Sequence, residues 1–210
     1  MKTFPAFLAL LAILAAPAAP AQEAKPADNT PRLAYGFVLK QGERIVFSPC
    51  RDRSYAMVED ISVERAVTAM LNSVGLDAGR KLYVELFAVV EGGALKASGL
   101  NLARTEGRCQ RPGGADEAWQ AGGNEPAWNL AAGGDKVVVK RLGKPDVVLP
   151  YAPFASAGSV TRYEVVQGSH RLALRFDRKT CHDTMADAVF GWVATVSLDG
   201  QTFTGCAWQR

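Results

Sequence analysis

The sequence has few of the side chains that usually carry catalysis or metal binding. It contains two histidines, His170 and His182, and has no Cys-x-x-Cys or His-x-x-x-His spacing. Metal sites need such ligands close together, so we expect no metal and no cofactor. No glycine pair lies in the Gly-x-x-x-x-Gly-Lys-Ser/Thr pattern of a phosphate-binding loop. These absences predict a protein that is not an enzyme.

The sequence also has no cluster of residues with the same charge. The 24 lysines and arginines and 21 acidic residues give a formal net charge of +3, and the basic residues are scattered. Nucleic-acid surfaces and polybasic membrane patches need clustered positive charge. We therefore expect no nucleic-acid partner.

The N-terminus is apolar but short. One lysine precedes an apolar run over 4–16, and small residues follow up to Ala21. The run is shorter than the roughly 20 residues that span a bilayer. This pattern predicts a secretory signal peptide over 1–21, with cleavage after Ala18 or Ala24 as alternatives. With no cysteine nearby to carry a lipid, it predicts a periplasmic protein without a stable membrane anchor.

The rest of the chain divides by composition into two units. Residues 22–32 are rich in Ala, Pro and polar residues and predict a flexible lead-in. Two units are expected at 33–109 and 118–210. The Pro- and Gly-containing stretch 110–117 is the predicted linker.

Four cysteines, Cys50, Cys109, Cys181 and Cys206, predict two disulfides in an exported chain. Three connectivities are possible. We favour the local pairs Cys50–Cys109 and Cys181–Cys206, each worth roughly 3.5–4 kcal/mol on the loop-entropy model. The competing pattern would join the two units. A disulfide also removes the thiolate that a catalytic Cys181 would need.

The pattern in 33–109 predicts strands around one helix. A single apolar stripe that includes Val63, Met70 and Val74 predicts a helix over 62–74, capped by Ser62 and ending at Gly75. Residues 81–90 are apolar on both faces and predict a central strand, followed by a turn and a strand over 94–103. This arrangement suits a small OB-type barrel.

A family resemblance accompanies this pattern. The run Phe47-x-x-Cys50, the helix with Leu71, and the strand at 82–86 resemble the OB-fold domain of NlpE-type envelope lipoproteins. That resemblance implies an OB-like barrel in a family associated with surface sensing and copper tolerance. The lipid-attachment cysteine of those proteins is absent, so membrane anchoring does not carry over.

The second unit reads as strands and turns throughout. Residues 161–166 and 171–176 predict one hairpin, and 192–198 with the Asp199-Gly200 turn begin another. We expect seven or eight strands in an antiparallel barrel or sandwich. The predicted fold class is therefore all-β with one helix, in two small barrel-like domains.

Three short motifs in this unit carry a second resemblance. Gly-Asn-Glu-Pro-x-Trp at 123–128, Cys-x-Asp-x-Met at 181–185 and Gly-Cys-Ala at 205–207 resemble an uncharacterised family of exported bacterial envelope proteins, distantly similar to META (HslJ-like) domains. The resemblance implies a compact β-fold, an envelope location and links to stress phenotypes. It implies no reaction.

Glu125, Trp128 and Asp183 form the candidate binding group. In one interpretation they meet at a barrel mouth and bind a ligand. In the other they are structural: Asn124 makes a turn, Glu125 accepts nearby backbone hydrogen bonds, Trp128 fills the barrel and Asp183 caps the loop that carries Cys181.

The predicted function is a non-catalytic, stress-related binding or sensing module of the cell envelope. Its partner would be an envelope protein or a small molecule. One alternative is an inhibitor or accessory protein of a secreted or cell-wall enzyme, because small disulfide-bonded β-modules suit protein docking. Another is an enzyme that acts on envelope polymers through Glu125 and Asp183.

Overall fold

The computed structural model describes residues 29–109 and 117–210, and this part of the chain is almost entirely β-structure. The predicted signal peptide (1–21), most of the lead-in and all of the linker except Glu117 lie outside the described residues. The strands before the linker are β1 (Arg32–Gln41), β2 (Arg44–Pro49), β3 (Ala56–Asp60), β4 (Leu82–Glu91) and β5 (Ala94–Arg104). Those after it are β6 (Glu117–Asn124), β7 (Ala127–Gly133), β8 (Lys136–Arg141), β9 (Val147–Pro150), β10 (Ala155–Ala157), β11 (Val160–Gln167), β12 (His170–Asp177), β13 (Cys181–Asp183), β14 (Ala188–Phe190), β15 (Trp192–Leu198) and β16 (Gln201–Gln209).

Strands β1 to β5 close into a five-stranded barrel. The order around it is β5-β3-β2-β1-β4, and β4 pairs with β5 to complete the ring. All pairs are antiparallel except β3 with β5, which run parallel with Met57 opposite Ala94. This Greek-key order, with a helix between the third and fourth strands, is that of an OB-type barrel. The predicted OB-like fold is confirmed.

Strand β4 is central, as its apolar sequence predicts. Its first five residues are all buried, because it pairs with β1 on one side and β5 on the other. Val90, near its end, is 76% exposed. The β1–β2 turn is made by Gly42 at φ +59°, which costs glycine little.

The helix is shorter than predicted. A 3-10 turn, Val63–Arg65, precedes α1, Ala66–Ser73, and Glu64 and Arg65 both have positive φ. Such non-glycine conformations interrupt an α-helix, so the predicted start at Ser62 is wrong. Val63, expected on the buried stripe, is 84% exposed. The end at Gly75, with φ +99°, agrees with the prediction.

The second sheet has nine strands and curls into a half-barrel. Its order is β10-β11-β12-β15-β16-β6-β7-β8-β9. The predicted hairpins are present as β11–β12 and β15–β16. Sequence reasoning expected seven or eight strands, and it missed β10, whose three residues are all exposed. The prediction of an all-β chain with two barrel-like units is confirmed.

A short hairpin connects the two sheets. β13 and β14 pair with each other, and β14 then pairs with β5 of the barrel through Phe190 opposite Leu102. Residues 181–190 follow the predicted linker in sequence, yet by strand pairing they belong to the first sheet. The barrel sheet therefore reaches seven strands.

The two disulfides form the local pairs that the sequence favours. Cys50 is bonded to Cys109, and Cys181 to Cys206, with Cα–Cα distances of 5.1 and 5.5 Å. The second bond ties β13 to β16, and so links the connecting hairpin to the half-barrel. Among the residues that the structure describes, no helix is long and apolar enough to cross a membrane.

Apolar side chains form three clusters. One fills the barrel and includes Val189 of β14, and one fills the half-barrel around Trp119 and Phe176. The third lies between the units and joins Tyr83 and Leu102 of the barrel to later residues, including Phe190. The two units are therefore packed against each other through a shared apolar surface.

Gly191 is the point at which the chain crosses from β14 to β15 over the barrel. A Cβ at this position would lie 1.9 Å from the Leu100 carbonyl oxygen, and the Gly191 N–H donates to Asn101 O at 3.0 Å. We expect Gly191→Ala to lower the free energy of unfolding by at least about 2 kcal/mol, because backbone must move. Urea unfolding followed by tryptophan fluorescence measures this.

Gly122→Ala is the matched control for that substitution. Its Cβ would lie 3.3 Å from the nearest atom, Trp128 O, and neither glycine has a positive φ. Gly122→Ala should lower the free energy of unfolding by much less than Gly191→Ala. Equal losses for the two variants would contradict the close-approach argument.

Candidate functional site

The three motifs after the linker meet where the β13–β14 hairpin contacts the half-barrel, since the Cys181–Cys206 disulfide joins two of them. Asn124, at the end of β6, donates from Nδ2 to Asp183 Oδ1 at 3.0 Å. Asp183 Oδ1 also accepts the backbone N–H groups of Met185 and Ala186, at 3.0 and 3.3 Å. Asp183 thus caps the turn between β13 and β14, which is the structural role considered from the sequence.

Trp128 is a core residue. Its side chain is 4% exposed, packs near Phe203 and donates from Nε1 to Thr204 O at 3.2 Å. Gly123 makes room for it, since a Cβ there would lie 2.5 Å from the indole nitrogen. The indole ring is therefore not available for stacking on a ligand.

Glu125 lies apart from these contacts. It is exposed at the tip of the β6–β7 hairpin, before a cis peptide bond to Pro126. The structure thus brings Asn124 and Asp183 together, buries Trp128 behind them, and leaves Glu125 in solvent. The motif meeting point joins two hairpins, and its contacts are those of a structural junction.

A buried carboxylate lies at the other side of this junction. Glu85 of β4 is 1% exposed. Its carboxyl group accepts hydrogen bonds from Tyr83 Oη at 3.1 Å and from Asn101 Nδ2 at 2.7 Å. Asn101 Nδ2 also donates to Gln209 O at 2.8 Å, and Asn101 Oδ1 accepts the Gln209 N–H at 2.8 Å. The side chain of a barrel residue thus completes the backbone bonding of the last strand.

Burial dominates the electrostatics of this cluster. It raises the pKa of Glu85, although the hydrogen bonds from Asn101 and Tyr83 and the charges of Arg210 and Arg104 act in the opposite direction. Burial, together with the neighbouring Glu85, also raises the pKa of Tyr83. Tyr83 and Asn101 are themselves buried, and Asn101 is also bonded to Gln209, so these contacts tie β4 and β5 to β16.

A cavity of about 740 Å³ opens at the end of the five-stranded barrel. It lies where β1, β3 and β5 begin and β2 and β4 end, at the end opposite α1. Apolar residues form much of its wall: Leu33, Ala34, Phe47, Ala56, Ala88 and Leu95. Its size falls within the roughly 300–1,000 Å³ of small-molecule sites.

The rim of this cavity carries charge of one sign. Arg32 and Arg51 line it, beside Tyr55 and Val90, and among the described residues no aspartate or glutamate does. Tyr55 is 74% exposed and Val90 76% exposed. A cavity with an apolar interior, a cationic rim and exposed apolar rim residues is suited to binding a small molecule.

Sequence reasoning missed both the cavity and the buried carboxylate. Glu85 did carry a signal, since it is the one charged residue among the apolar residues 82–90. No pattern in the sequence indicated the cavity. Arg32, Arg51 and Val90 come from separate strands and loops, and only closure of the barrel brings them to one rim.

Within 29–109 and 117–210, no group of three or more His, Cys, Asp or Glu side chains converges as metal ligands do. His170 pairs with Asp199, with 2.8 Å between Nδ1 and Oδ2.

Comparison of the chain with protein-family models, with curated proteins and with solved structures finds no match.

The raised pKa of Glu85 makes stability depend on pH. A carboxyl whose pKa is higher in the folded than in the unfolded chain stabilises the fold below the unfolded value, roughly 4.3, and that contribution is lost as pH rises through the folded value. We expect the unfolding free energy of the wild type, relative to Glu85→Gln, to fall with pH by up to about 1.4 kcal/mol per unit. Urea unfolding from pH 4 to 8 measures it.

Glu85→Leu separates hydrogen bonding from charge. It removes the acceptor of Tyr83 Oη and of Asn101 Nδ2, so relative to Glu85→Gln it should cost about 1–3 kcal/mol at all these pH values. A wild-type stability that rises with pH relative to Glu85→Gln would contradict the direction of the shift.

Proposed function

We propose that this chain is a non-catalytic ligand-binding module of the bacterial cell envelope, exported through a cleaved signal peptide to the periplasm. The observation that carries the proposal is the cavity of about 740 Å³ at the end of the barrel. Its walls come from strands of a closed barrel, so the cavity is supported by the main fold. Pre-formed sites of this kind lose little entropy on binding.

The disulfides support the compartment in this proposal. Two disulfides and no free cysteine among the described residues indicate an oxidising environment. The apolar N-terminus with small residues before Gln22 supports export, and the bacterial envelope follows from the two family resemblances. A role in envelope stress is part of the same proposal.

Thermal unfolding tests the binding function. The purified chain, with both disulfides intact, is melted with laurate and with chitotriose. A ligand at about 100 times its dissociation constant stabilises by about 2.7 kcal/mol. We expect at least one of these probes to raise Tm, and the substitution Ala56→Phe, which fills the cavity, to abolish that increase.

Ala127→Phe is the control for the filled cavity. Ala127 is exposed in the half-barrel and does not line the cavity, so this variant should keep the full ligand effect. An equal increase in Tm for wild type and Ala56→Phe would place the ligand elsewhere. No increase with any probe would contradict the proposal.

A second candidate function is inhibition of a cell-wall enzyme, and one surface favours it. The turn between β3 and α1 exposes Ile61 (54%) and Val63 (84%) and holds Glu64 and Arg65 at positive φ. Asp60 fixes this turn, since its carboxylate accepts the backbone N–H groups of Ser62 and Thr68 at 3.0 and 2.7 Å. Rigid loops with exposed apolar residues are suited to docking on a protein.

A muramidase assay distinguishes this candidate. If the turn binds such an enzyme, the chain should inhibit hydrolysis of peptidoglycan, and Val63→Asp should weaken inhibition at least tenfold, because a charge would enter an apolar contact. Val166→Asp, also at an exposed position (61%), should leave inhibition unchanged. Absence of inhibition by the wild type would exclude this enzyme class.

A further inference from the structure

Part of the wall of the barrel-end cavity is apolar and buried. Phe47, Ala88 and Leu95 line it and are 4%, 5% and 3% exposed. A polar group placed against them would lose its water without gaining a hydrogen bond, at a cost of roughly 1–3 kcal/mol on protein scales. The part of an occupant that lies against this wall is therefore expected to be hydrocarbon.

Small side chains create the space for that hydrocarbon. Ala34, Ala56 and Ala88 come from three different strands, β1, β3 and β4, and all line the cavity. Larger residues at these positions would fill the barrel end, as Leu and Val side chains fill the rest of the barrel core. An acyl chain is flexible enough to follow such an irregular space.

The outer part of the occupant meets positive charge. Arg51 lines the cavity, and its side chain is 82% exposed. Asp52 Oδ2 lies 3.6 Å from its Nε, and an exposed ion pair of this kind is worth at most about 1 kcal/mol. Asp52 is held by hydrogen bonds from the backbone N–H, at 2.8 Å, and the hydroxyl of Ser54. Arg51 can therefore turn to an incoming anion at little cost.

Arg32 gives the rim a second guanidinium. It is exposed at the start of β1 and lines the same cavity. Guanidinium groups bind carboxylate and phosphate oxygens through paired hydrogen bonds. Tyr55 and Val90 line the same cavity, and an acyl chain would cover their exposed apolar surfaces.

We propose that the cavity binds a single-chain amphipathic anion, an acyl chain that ends in a carboxylate or a phosphate. The chain lies against the alanines and Leu95, and the anionic head lies between Arg32 and Arg51. This inference rests on the proposed binding function and adds the chemical class of the ligand. A free fatty acid and a phosphate-headed single-chain lipid share this chemistry.

Isothermal titration calorimetry with matched twelve-carbon probes tests the class. Laurate, dodecyl phosphate, dodecyl maltoside and dodecyltrimethylammonium are each titrated below their micelle concentrations. We expect an anionic probe to bind at least tenfold more tightly than the neutral and cationic probes. Tighter binding of laurate points to fatty acids, tighter binding of dodecyl phosphate points to phosphate-headed lipids, and equal binding supports the shared chemistry.

Arginine substitutions then locate the head group. The double variant Arg32→Gln, Arg51→Gln should weaken binding of the anionic probe tenfold or more and leave any binding of dodecyl maltoside unchanged. Arg53→Gln is the control, because Arg53 is an exposed arginine two residues from Arg51 that does not line the cavity. It should leave affinity within twofold of the wild type.

The outcomes separate this inference from the function on which it rests. Equal affinity for the anionic and neutral probes, or an anion affinity unchanged in the double variant, would overturn the proposed ligand class. If chitotriose instead raises Tm and Ala56→Phe abolishes that effect, the binding function holds and the acyl anion is wrong. If no probe binds, both fail.

Discussion

The junction at the end of β5 holds the two parts of this molecule together. There β14 adds to the barrel edge-on, and Asn101 exchanges two hydrogen bonds with the backbone of Gln209. Glu85 orients the Asn101 amide by accepting a hydrogen bond from Asn101 Nδ2 at 2.7 Å. Loss of these buried hydrogen bonds would cost about 1–3 kcal/mol. The network therefore stabilises the packing of the barrel against the last strand of the half-barrel.

Covalent and cationic contacts surround this polar centre. Cys50, Cys181 and Cys206 all border the apolar cluster between the units, so both disulfides stabilise the same junction. On another side, the guanidinium of Arg178 lies 5.3 Å from the Phe87 ring and 5.5 Å from the Trp192 ring, one from each unit. Such cation–π contacts contribute about 0.5–1 kcal/mol each when exposed. Together these contacts make one connected structure from two modest cores.

The barrel-end cavity lies away from this junction. Strand β5 carries both features, with Leu95 near its beginning in the cavity wall and Asn101 near its end in the buried network. About 3.3 Å of strand per residue separates them by roughly 20 Å. Packing of the half-barrel therefore fixes one end of the barrel and does not cover the other, where Arg32 and Arg51 reach solvent.

Local patterns in the sequence determined most strands and the hairpins, because alternation and Gly turns act between near neighbours in the chain. The favoured disulfide pairing is correct, but its partners lie 59 and 25 residues apart, so only the fold decided among the three connectivities. The helix start failed at Val63, where the Asp60-centred turn, with Glu64 and Arg65 at positive φ, overrode the apolar stripe. Only the tertiary structure decided that residues 181–190 complete the barrel sheet, that Glu85 is buried at a junction, and that two arginines share a cavity rim. Each of these depends on contacts between distant segments, which leave no periodic signal in the chain.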